Sequence, residues 1–416
     1  MDGLLFLAHR IPFPPNKGDK IRSFHLLHHL AQRYRIYLGA FVDDADDWQY
    51  ADALAPYCAE MKLLSLHPRR SKLKSLTGLL AGEALTLPYY RNAALSAWAR
   101  QRVQDSSVNR GLAFSSAMGQ FMPLGLARTV MDMVDVDSDK WTQYAPSQHW
   151  PLSWLYAREG RTLAAWEARM VQQFDATLLV SAPEAALLQQ RTPKSAHKIA
   201  AFENGVDTDY FSPERDYPKP FSPETRAIVF TGAMDYWPNI DAVVWFAEQV
   251  FPAIRQQCPD AQFIIVGSRP SPEVSNLAQQ PGIIVTGSVP DVRPYLAHAV
   301  CAVAPLRIAR GVQNKVLEAM AMARPVVVTP QAAEGIRARA GEEYILAHDA
   351  TTFSEAVLNQ LAQQHSRLGQ AARQVILQHY NWEHNLAAVD ACLEILPAAS
   401  APVVTPGTEQ LKAHLA

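Results

Sequence analysis

The sequence predicts an α/β protein with two similar halves, each built on a parallel sheet. Short apolar runs of strand length alternate with amphipathic stretches of helix length along most of the chain. A proline-rich break at residues 212–223 interrupts this alternation, which then restarts. Alternating strands and helices favour parallel sheets covered on both faces, so we expect two domains with a ligand cleft at their boundary.

The first half carries a series of strand-length apolar runs. Near-continuous apolar runs are typical of strands that are buried on both faces of a sheet. Helices are predicted at Lys20–Arg33 and, the longest, at Leu152–Phe174. The predicted strands are Leu4–Ala8, Ile36–Phe41, Met61–Leu66, Leu112–Phe114, Thr129–Met133 and Thr177–Val180.

The second half repeats the pattern. A helix is predicted at Asp241–Arg255. The predicted strands are Ala227–Thr231, Phe263–Val266, Ile283–Thr286, Val300–Ala304 and Val326–Thr329.

Four prolines between residues 212 and 223 disfavour both helix and central strand, and this stretch is the predicted linker between domains. We expect a first domain at 1–211, a linker at 212–225 and a second domain at 226–379. A last helix within residues 380–396 is expected to pack back on the first domain. The tail, residues 397–416, is rich in Ala, Pro, Val and Thr and is predicted to be disordered.

Composition excludes several classes of protein. The chain of 416 residues is 49 % apolar and has a formal charge of -2, which gives no global signature of nucleic-acid binding. Its 4 cysteines are scattered without C-x-x-C spacing, so a disulfide framework and a cysteine zinc site are not expected. The first apolar run lacks a basic region before it, and no run approaches the roughly 20 residues of a membrane span. We therefore expect a cytoplasmic protein.

One segment, residues 310–328, is predicted to be loop, helix, turn and strand. Gly311 permits close backbone approach at the helix start, where free N–H groups and the helix dipole favour an anion. Lys315 adds a positive charge one turn later, and Glu318 shares the face of Gly311 and Lys315. A carboxylate there suits hydroxyl groups, such as those of a ribose, better than phosphate. The alternative is a plain helix with a solvated Lys–Glu pair.

This segment resembles glycosyltransferase family 4, whose fold is GT-B: two Rossmann-like domains with parallel sheets facing a central cleft. The family's helix usually opens Glu-Gly-Phe-Gly, and a second Glu eight positions after the first holds the nucleotide ribose. Gly311 matches the glycine and Glu318 the second Glu, whereas Arg310 occupies the position of the first. The run Gly-Val-Gln-Asn-Lys-Val-Leu-Glu-Ala-Met-Ala resembles a branch associated with exosortase and PEP-CTERM exopolysaccharide loci.

The resemblance, which covers nearly the whole chain, extends to the loop after the first strand of the second domain. In the family a glycine there lets the donor diphosphate lie close to the backbone, and Gly232 matches it. The Arg and Lys that normally follow are missing from residues 235–239. A leaving diphosphate needs neutralising charge, so we expect replacement by Lys315, Arg307 and Arg310.

Two further loops match the family by position. Gly18 lies in the loop between the first strand and first helix, where the family's glycine-containing loop meets donor phosphate and acceptor. Asn204 and Gly205 resemble the Asn-Gly entry to the second domain. They are expected either to line the cleft or to form a structural turn only.

An acidic run follows the predicted strand Thr129–Met133. Asp132 lies at its end, and Asp135, Asp137 and Asp139 follow over the carboxyl edge of the sheet. Such a cluster indicates a divalent cation site or a positioned base, and the alternative is a helix-capping loop. The resemblance implies a His or Asp near the anomeric carbon just after this strand. Asp135 is the best match and Asp137 the second.

Two basic features have competing interpretations. His25 and His29 are four residues apart on the first helix, but no third ligand accompanies them, so a surface pair is favoured over zinc. A basic, apolar-striped stretch runs over residues 69–80 and predicts either an ordinary surface helix or contact with an anionic membrane. Its cations are Arg69, Arg70, Lys72 and Lys74.

The resemblance implies a retaining glycosyltransferase that takes a nucleoside-diphosphate sugar and needs no cofactor or obligatory metal. The acceptor would be a hydroxyl of an exopolysaccharide or lipid-linked glycan, and the expected location is cytoplasmic, peripheral on the inner face of the membrane. The alternatives are a non-catalytic nucleotide-sugar-binding partner and a sugar-nucleotide epimerase. The expected catalytic residues are Asp135, Asp137 and Lys315. The expected donor-binding residues are Gly18, Gly232, Arg307, Arg310, Gly311, Gln313, Asn314, Lys315 and Glu318.

Overall fold

A computed structural model describes residues 1–15, 17–105, 108–222, 224–309, 311–363 and 367–394. The predicted disordered tail, 397–416, and the site candidate Arg310 lie outside these residues. The described residues form two parallel sheets covered by helices, so the predicted GT-B arrangement of two Rossmann-like domains is confirmed.

The first sheet has seven parallel strands in the order β3-β2-β1-β4-β5-β6-β7. The chain builds outward from β1 and then returns to its other side at β4, so the order reverses between these two strands. Ligands of such sheets bind beyond the carboxyl ends of the strands at this reversal. The strands are β1 Gly3–Ala8, β2 Arg35–Val42, β3 Glu60–Ser65, β4 Val108–Phe114, β5 Arg128–Val134, β6 Ala176–Leu179 and β7 Ile199–Ala201.

Alternate side chains of β1 enter two separate cores, because successive residues of a strand point to opposite faces. Leu4 and Phe6 pack with the first helix on one face, whereas Leu5 and Leu7 pack with Trp98 and neighbours on the other. The helices of this domain are α1 Gly18–Ala31, α2 Ala51–Leu54, α3 Pro68–Ser75, α4 Thr77–Ala81, α5 Thr86–Tyr90, α6 Ala93–Asp105, α7 Asp137–Tyr144, α8 Leu152–Gln173 and α9 Ala182–Arg191.

The second sheet has six parallel strands in the order β10-β9-β8-β11-β12-β13, which reverses between β8 and β11. Its strands are β8 Arg226–Thr231, β9 Ala261–Val266, β10 Ile283–Gly287, β11 Cys301–Ala304, β12 Val326–Val328 and β13 Ile345–Leu346. Its helices are α10 Trp237–Trp245, α11 Phe251–Gln257, α12 Pro272–Asn276, α13 Arg293–Ala297, α14 Asn314–Ala321, α15 Pro330–Ala333, α16 Ala350–Ala362 and α17 Arg367–His379.

The predicted helix Asp241–Arg255 differs in the structure. It starts earlier, at Trp237, and a π-helical turn at Phe246–Val250 divides it into α10 and α11. Pro238 in its first turn explains the early start, because a proline there loses no helical hydrogen bond.

The chain crosses between the domains twice, and the two crossings contact each other. Val206 N donates to Tyr380 O at 2.8 Å where the first crossing meets the second. The last helix, α18 Trp382–Leu393, then packs in the core of the first domain against α1 and β5. Gly205 leaves room for this return, since a Cβ there would lie 2.6 Å from Trp382 Cγ.

A fully buried ion pair holds α1 to β5. Arg22 Nε donates to Asp132 Oδ2 at 2.8 Å and its Nη2 donates to Asp132 Oδ1 at 3.1 Å. The same guanidinium donates to Phe202 O at 2.7 Å and lies 4.0 Å over the Phe202 ring. Asp132 therefore belongs to the core below the strand end, and the acidic residues after it form the edge.

We predict that Asp132→Ala destabilises the protein strongly, because it leaves a buried guanidinium without its counter-charge. The expected loss is roughly 3–5 kcal/mol of unfolding free energy, measured by urea denaturation. The matched control is Asp209→Ala, which removes an exposed carboxylate. Equal denaturation midpoints for the two variants would contradict a structural role for the pair.

Candidate functional site

The loop from β11 to α14 reaches the first domain at Gly311. This buried glycine has a φ of +63°, in the region that favours glycine. A Cβ at this position would lie 2.7 Å from Asp135 Oδ1 and 3.1 Å from Val180 Cγ1. Asp135 and Val180 follow β5 and β6, so Gly311 meets the carboxyl edge of the first sheet. Glycine is required here both by the backbone and by this close approach.

Helix α14 begins at Asn314 without a side-chain hydrogen bond from Gln313, the residue before it. The Gln313 side chain instead donates to Gly311 O at 3.0 Å and braces the loop. The first N–H groups of a helix have no intrahelical acceptor and, together with the dipole, bind anions. The start of α14 can therefore hold a phosphate.

Asn314 connects this helix start to the first domain. Its Oδ1 accepts a hydrogen bond of 3.0 Å from Asn204 Nδ2, and Asn204 Oδ1 accepts one of 2.8 Å from the buried Arg22. A Cβ on Gly18, the first residue of α1, would lie 3.5 Å from Asn314 Nδ2. Gly18, Asn204 and Asn314 thus meet at the domain boundary.

Lys315 lies at the reversal point of the second sheet. Its ammonium donates to Asn239 Oδ1 and lies 4.6 Å over the ring of Phe230. A Cβ on Gly232 would lie 3.3 Å from Lys315 Nζ and 2.8 Å from Asn239 Nδ2. The glycine keeps open the space above the ammonium, between the end of β8 and the start of α14.

Glu318 lies one turn after Lys315, and burial shifts both groups toward their neutral forms. Burial lowers the pKa of Lys315 to about 7, and the charge of Glu318 only partly offsets this effect. Burial raises the pKa of Glu318 to about 7, partly offset by Lys315. Lys315 donates to the neutral amide of Asn239, so a phosphate can bind the Lys315 ammonium without breaking a hydrogen-bonded ion pair. The negative charge of that phosphate would favour the protonated form of Lys315.

Arg307 differs from Lys315 in that it is engaged in an ion pair. Its guanidinium is paired with Asp241 of α10, with Nε 2.9 Å from Asp241 Oδ2, and its side chain is exposed. Of the three cations expected to replace the missing pair, Lys315 adjoins Gly232, Arg307 is held on α10, and Arg310 is outside the described residues.

The acidic run after β5 lies across the domain boundary from the loop that precedes α14. Asp135 Oδ2 and Asp137 Oδ1 both accept from Lys140 Nζ, at 2.8 and 3.0 Å. The other Asp135 oxygen is buried against Gly311 and has no hydrogen-bond partner among the described residues. Asp137, the first residue of α7, is more exposed. Of the two candidates, Asp135 is therefore the one that contacts Gly311, in the loop before α14.

Two buried glutamates hold the backbone of the acidic run. Glu184 Oε2 accepts from Val136 N at 2.7 Å, and Glu167 Oε1 accepts from Ser138 N at 3.0 Å. Burial raises the pKa of Glu167 to about 8 and that of Glu184 to about 7. Neither glutamate was predicted from the sequence, because both lie on helices remote from the run.

The two histidines of α1 have separate partners. His25 stacks on Trp382 with ring centroids 4.3 Å apart, whereas His29 Nε2 lies 2.9 Å from Asp390 Oδ2. Both serve to pack α18 against α1. Across the described ranges, no group of three or more His, Cys, Asp or Glu side chains could hold a metal ion.

We predict that Gly311→Ala weakens binding of nucleoside diphosphates. The new Cβ would displace Asp135 or the start of α14, at a cost of about 1–3 kcal/mol, which corresponds to roughly tenfold to a hundredfold in affinity. Gly287→Ala is the matched control, because Gly287 has a similar φ of +68° and no atom within 4 Å of its Cβ position. Equal affinities in titrations of the two variants would count against this role for Gly311.

We also predict a pH-dependent stability from Glu167. Because its pKa is raised by burial, the folded chain keeps a proton that the unfolded chain has lost above its ordinary carboxyl pKa. Stability is thus fully present at pH values below that ordinary pKa and falls toward pH 8 by up to roughly 1.4 kcal/mol per pH unit. Urea midpoints of Glu167→Gln should fall less steeply from pH 5 to 8 than those of the wild type or of exposed Glu355→Gln. Urea midpoints that fall equally with pH in Glu167→Gln and in the wild type would contradict this role of Glu167.

One known protein family matches a part of the second domain. The family described as "Glycosyl transferases group 1" matches residues 225–363, which include α14. None of the curated proteins matches the chain.

Several solved structures share the fold over nearly the whole chain. Sucrose-phosphate synthase from Thermosynechococcus elongatus has a TM-score of 0.70 at 18 % identity, covering 93 % of this chain and 97 % of that one. HepE from Anabaena, solved with UDP, has a TM-score of 0.65 at 13 % identity and covers 95 % and 100 %. WaaG, a glycosyltransferase involved in lipopolysaccharide biosynthesis, has a TM-score of 0.64 at 15 % identity and covers 93 % and 98 %. Residues 225–363 therefore form a glycosyltransferase group 1 domain, and the protein is a glycosyltransferase of the GT-B fold.

Proposed function

We propose that this glycosyltransferase moves a sugar from a nucleoside-diphosphate sugar to a hydroxyl of an exopolysaccharide or lipid-linked glycan, with retention of anomeric configuration. The observation that carries the proposal is the contact of Gly311, in the loop before α14, with Asp135 of the other domain, while Lys315 in the first turn of α14 adjoins Gly232. A phosphate site on one wall and a free carboxylate oxygen on the other are what transfer from a phosphate leaving group requires.

The donor binds with its diphosphate over the start of α14. Gly232 lets phosphate oxygens approach the Lys315 ammonium, and Lys315 neutralises the charge that develops as the bond from the anomeric carbon to the phosphate oxygen breaks. Glu318, one turn further along α14, accepts hydrogen bonds from the ribose hydroxyls. HepE has been solved with UDP and with UDP-glucose, which supports a donor of this class.

The acceptor attacks on the face from which the diphosphate leaves, which gives retention in a single displacement. Its oxygen bonds to the anomeric carbon, and its proton passes to the departing phosphate oxygen. Asp135 stabilises the positive charge on the sugar or holds one of its hydroxyls, and Lys140 positions Asp135 through its other oxygen. Asp137 shares Lys140 and is the second candidate for this role. The proposal requires no metal, since Lys140 neutralises the carboxylates of Asp135 and Asp137 and Lys315 neutralises the leaving diphosphate.

We propose a cytoplasmic location, peripheral to the inner membrane face, and a role in exopolysaccharide synthesis. Arg69, Arg70, Lys72 and Lys74 are all exposed on α3. Lys74 Nζ donates to Arg91 O, and the other three are available to an anionic surface. Within the described ranges, no helix combines the length and apolar character that a membrane crossing requires. WaaG acts in lipopolysaccharide biosynthesis, which supports a glycan acceptor for this fold.

The test is turnover of the donor by Lys315→Ala. We expect a fall of about 10²–10³-fold in kcat, the size associated with loss of one group that stabilises developing charge. Arg307→Ala is the control, because Arg307 is already engaged by Asp241, and a much smaller fall is expected. Unchanged turnover in Lys315→Ala would sink the proposed role of this lysine.

The same assay separates the competing functions. Donor binding without transfer to any acceptor would favour a non-catalytic binding partner. Conversion of the donor sugar without an acceptor would favour an epimerase. The anomeric configuration of the product, determined by NMR, decides between retention and inversion.

A further inference from the structure

Two aromatic side chains are exposed in the loop between β8 and α10. Tyr236 is 56 % exposed and Trp237 is 52 % exposed. Residues 235–239 contain no lysine or arginine, so this loop cannot neutralise a diphosphate through its own side chains. Exposed aromatic rings beside a polar site are typical of surfaces that bind a ligand. The proposed glycosyl transfer assigns no role to these two rings.

The two rings lie beside the first domain. The ring of Trp237 meets that of Tyr144, on α7, with 6.4 Å between centroids and an interplanar angle of 78°. Asp137, Lys140 and Tyr144 are spaced three and four residues apart along α7, so they share one face of this helix. Lys140 also holds Asp135. Trp237 is therefore one helical turn away from the lysine that organises the acidic run.

An ion pair between the domains holds this loop in place. Arg269, in the loop after β9, donates to Asp44 of the first domain, and its Nη1 lies 3.6 Å from Asp235 Oδ2. The phenol of Tyr236, next to Asp235 in the chain, is within electrostatic reach of Lys140. The contact with Asp44 therefore keeps the aromatic loop beside the acidic run of the first domain.

The surroundings of the two rings favour a sugar over a phosphate. Asp135 and Asp137 would repel a phosphate, whereas carboxylates exchange hydrogen bonds with hydroxyl groups. A pyranose ring has a polar rim of hydroxyls and an apolar face of axial C–H bonds, and an aromatic ring can pack against that face. The rings and the carboxylates together therefore complement a pyranose.

This position suits the acceptor better than the donor. In the proposed transfer, the donor diphosphate lies where Gly232 adjoins Lys315, and the donor sugar lies against Asp135. Asp137 is more exposed than Asp135 and shares its helix face with Tyr144. A second sugar that enters from solvent would therefore meet Asp137 and the aromatic rings first.

We propose that Tyr236 and Trp237 form an aromatic platform for the terminal sugar of the acceptor, and that this sugar is a pyranose with a face of axial C–H bonds. The ring face stacks on Trp237, and the hydroxyls bond to the Tyr236 phenol and to Asp137. The aromatic platform belongs to the second domain and Asp137 to the first, so the acceptor contacts both domains. This inference rests on the proposed glycosyl transfer, for which it names the class of acceptor.

The test is saturation-transfer NMR of the full chain with UDP and the methyl β-pyranosides of glucose, galactose and N-acetylglucosamine. We expect at least one of these sugars to bind, with saturation concentrated on the protons of one ring face. Sorbitol, which has similar hydroxyls but no ring face, should show no saturation.

The variant Trp237→Ala should bind that sugar roughly twofold to tenfold more weakly, the size associated with one aromatic stacking contact, and Trp237→Phe should restore most of the affinity. The affinity for UDP, measured by calorimetry, should stay unchanged in both variants. Trp154→Ala is the matched control, because Trp154 is 53 % exposed and shares a face of α8 with Arg158, which bonds to α4.

Wild-type protein that binds UDP but none of the three sugars would overturn the aromatic platform. Equal binding of the sugar by Trp237→Ala and the wild type would overturn it as well, as would saturation spread evenly over both ring faces. A fall in UDP affinity in Trp237→Ala would overturn it in favour of contact with the nucleotide. Wild-type protein that binds neither UDP nor UDP-glucose would instead indicate failure of the proposed function.

Discussion

The ion pair between Arg22 and Asp132 joins the first helix to the fifth strand without access to solvent. A buried guanidinium needs a full set of acceptors, and Arg22 also donates to Phe202 O and Asn204 Oδ1. Asn204 in turn donates to Asn314 of α14, in the other domain. The start of α14 is therefore positioned by a charge in the core of the opposite domain, and its alignment with the first sheet depends on this chain of contacts.

The cations around the cleft differ in their partners, and this difference gives them different tasks. Arg10, Arg269 and Arg307 each pair with aspartate, and the first two hold loops at the strand ends, Arg269 across the domains to Asp44. Lys140 is shared by two aspartates. Lys315 instead hydrogen-bonds the neutral amide of Asn239, so it can exchange that partner for an anion at low cost.

Much of the fold follows from sequence pattern, because apolar runs mark strands that are buried on both faces. Strands β7 and β13 were not predicted, since three and two residues at a sheet edge carry no readable period. In the site, Lys315 and Glu318 could be predicted together because helix spacing relates them. Gly311 does not share their helix face as predicted, because it lies in the loop before α14 with a φ of +63°. Asn239, the partner of Lys315, and Lys140, the partner of Asp135, could not be assigned roles, because only tertiary packing brings them near. The ion pair of Arg307 with Asp241 could likewise not be predicted, because the two residues are 66 positions apart in the sequence.

The return of α18 to the first domain has a consequence for synthesis of the chain. Trp382, Leu386, Val389 and Leu393 belong to the same core as Leu4 and Phe6 of the first strand. On the ribosome, the first domain emerges long before these four residues exist, whereas the second domain has its whole core by then. The domain that begins the chain therefore finishes folding last, and the part of its central sheet beside α1 that α18 covers stays exposed until translation is nearly complete.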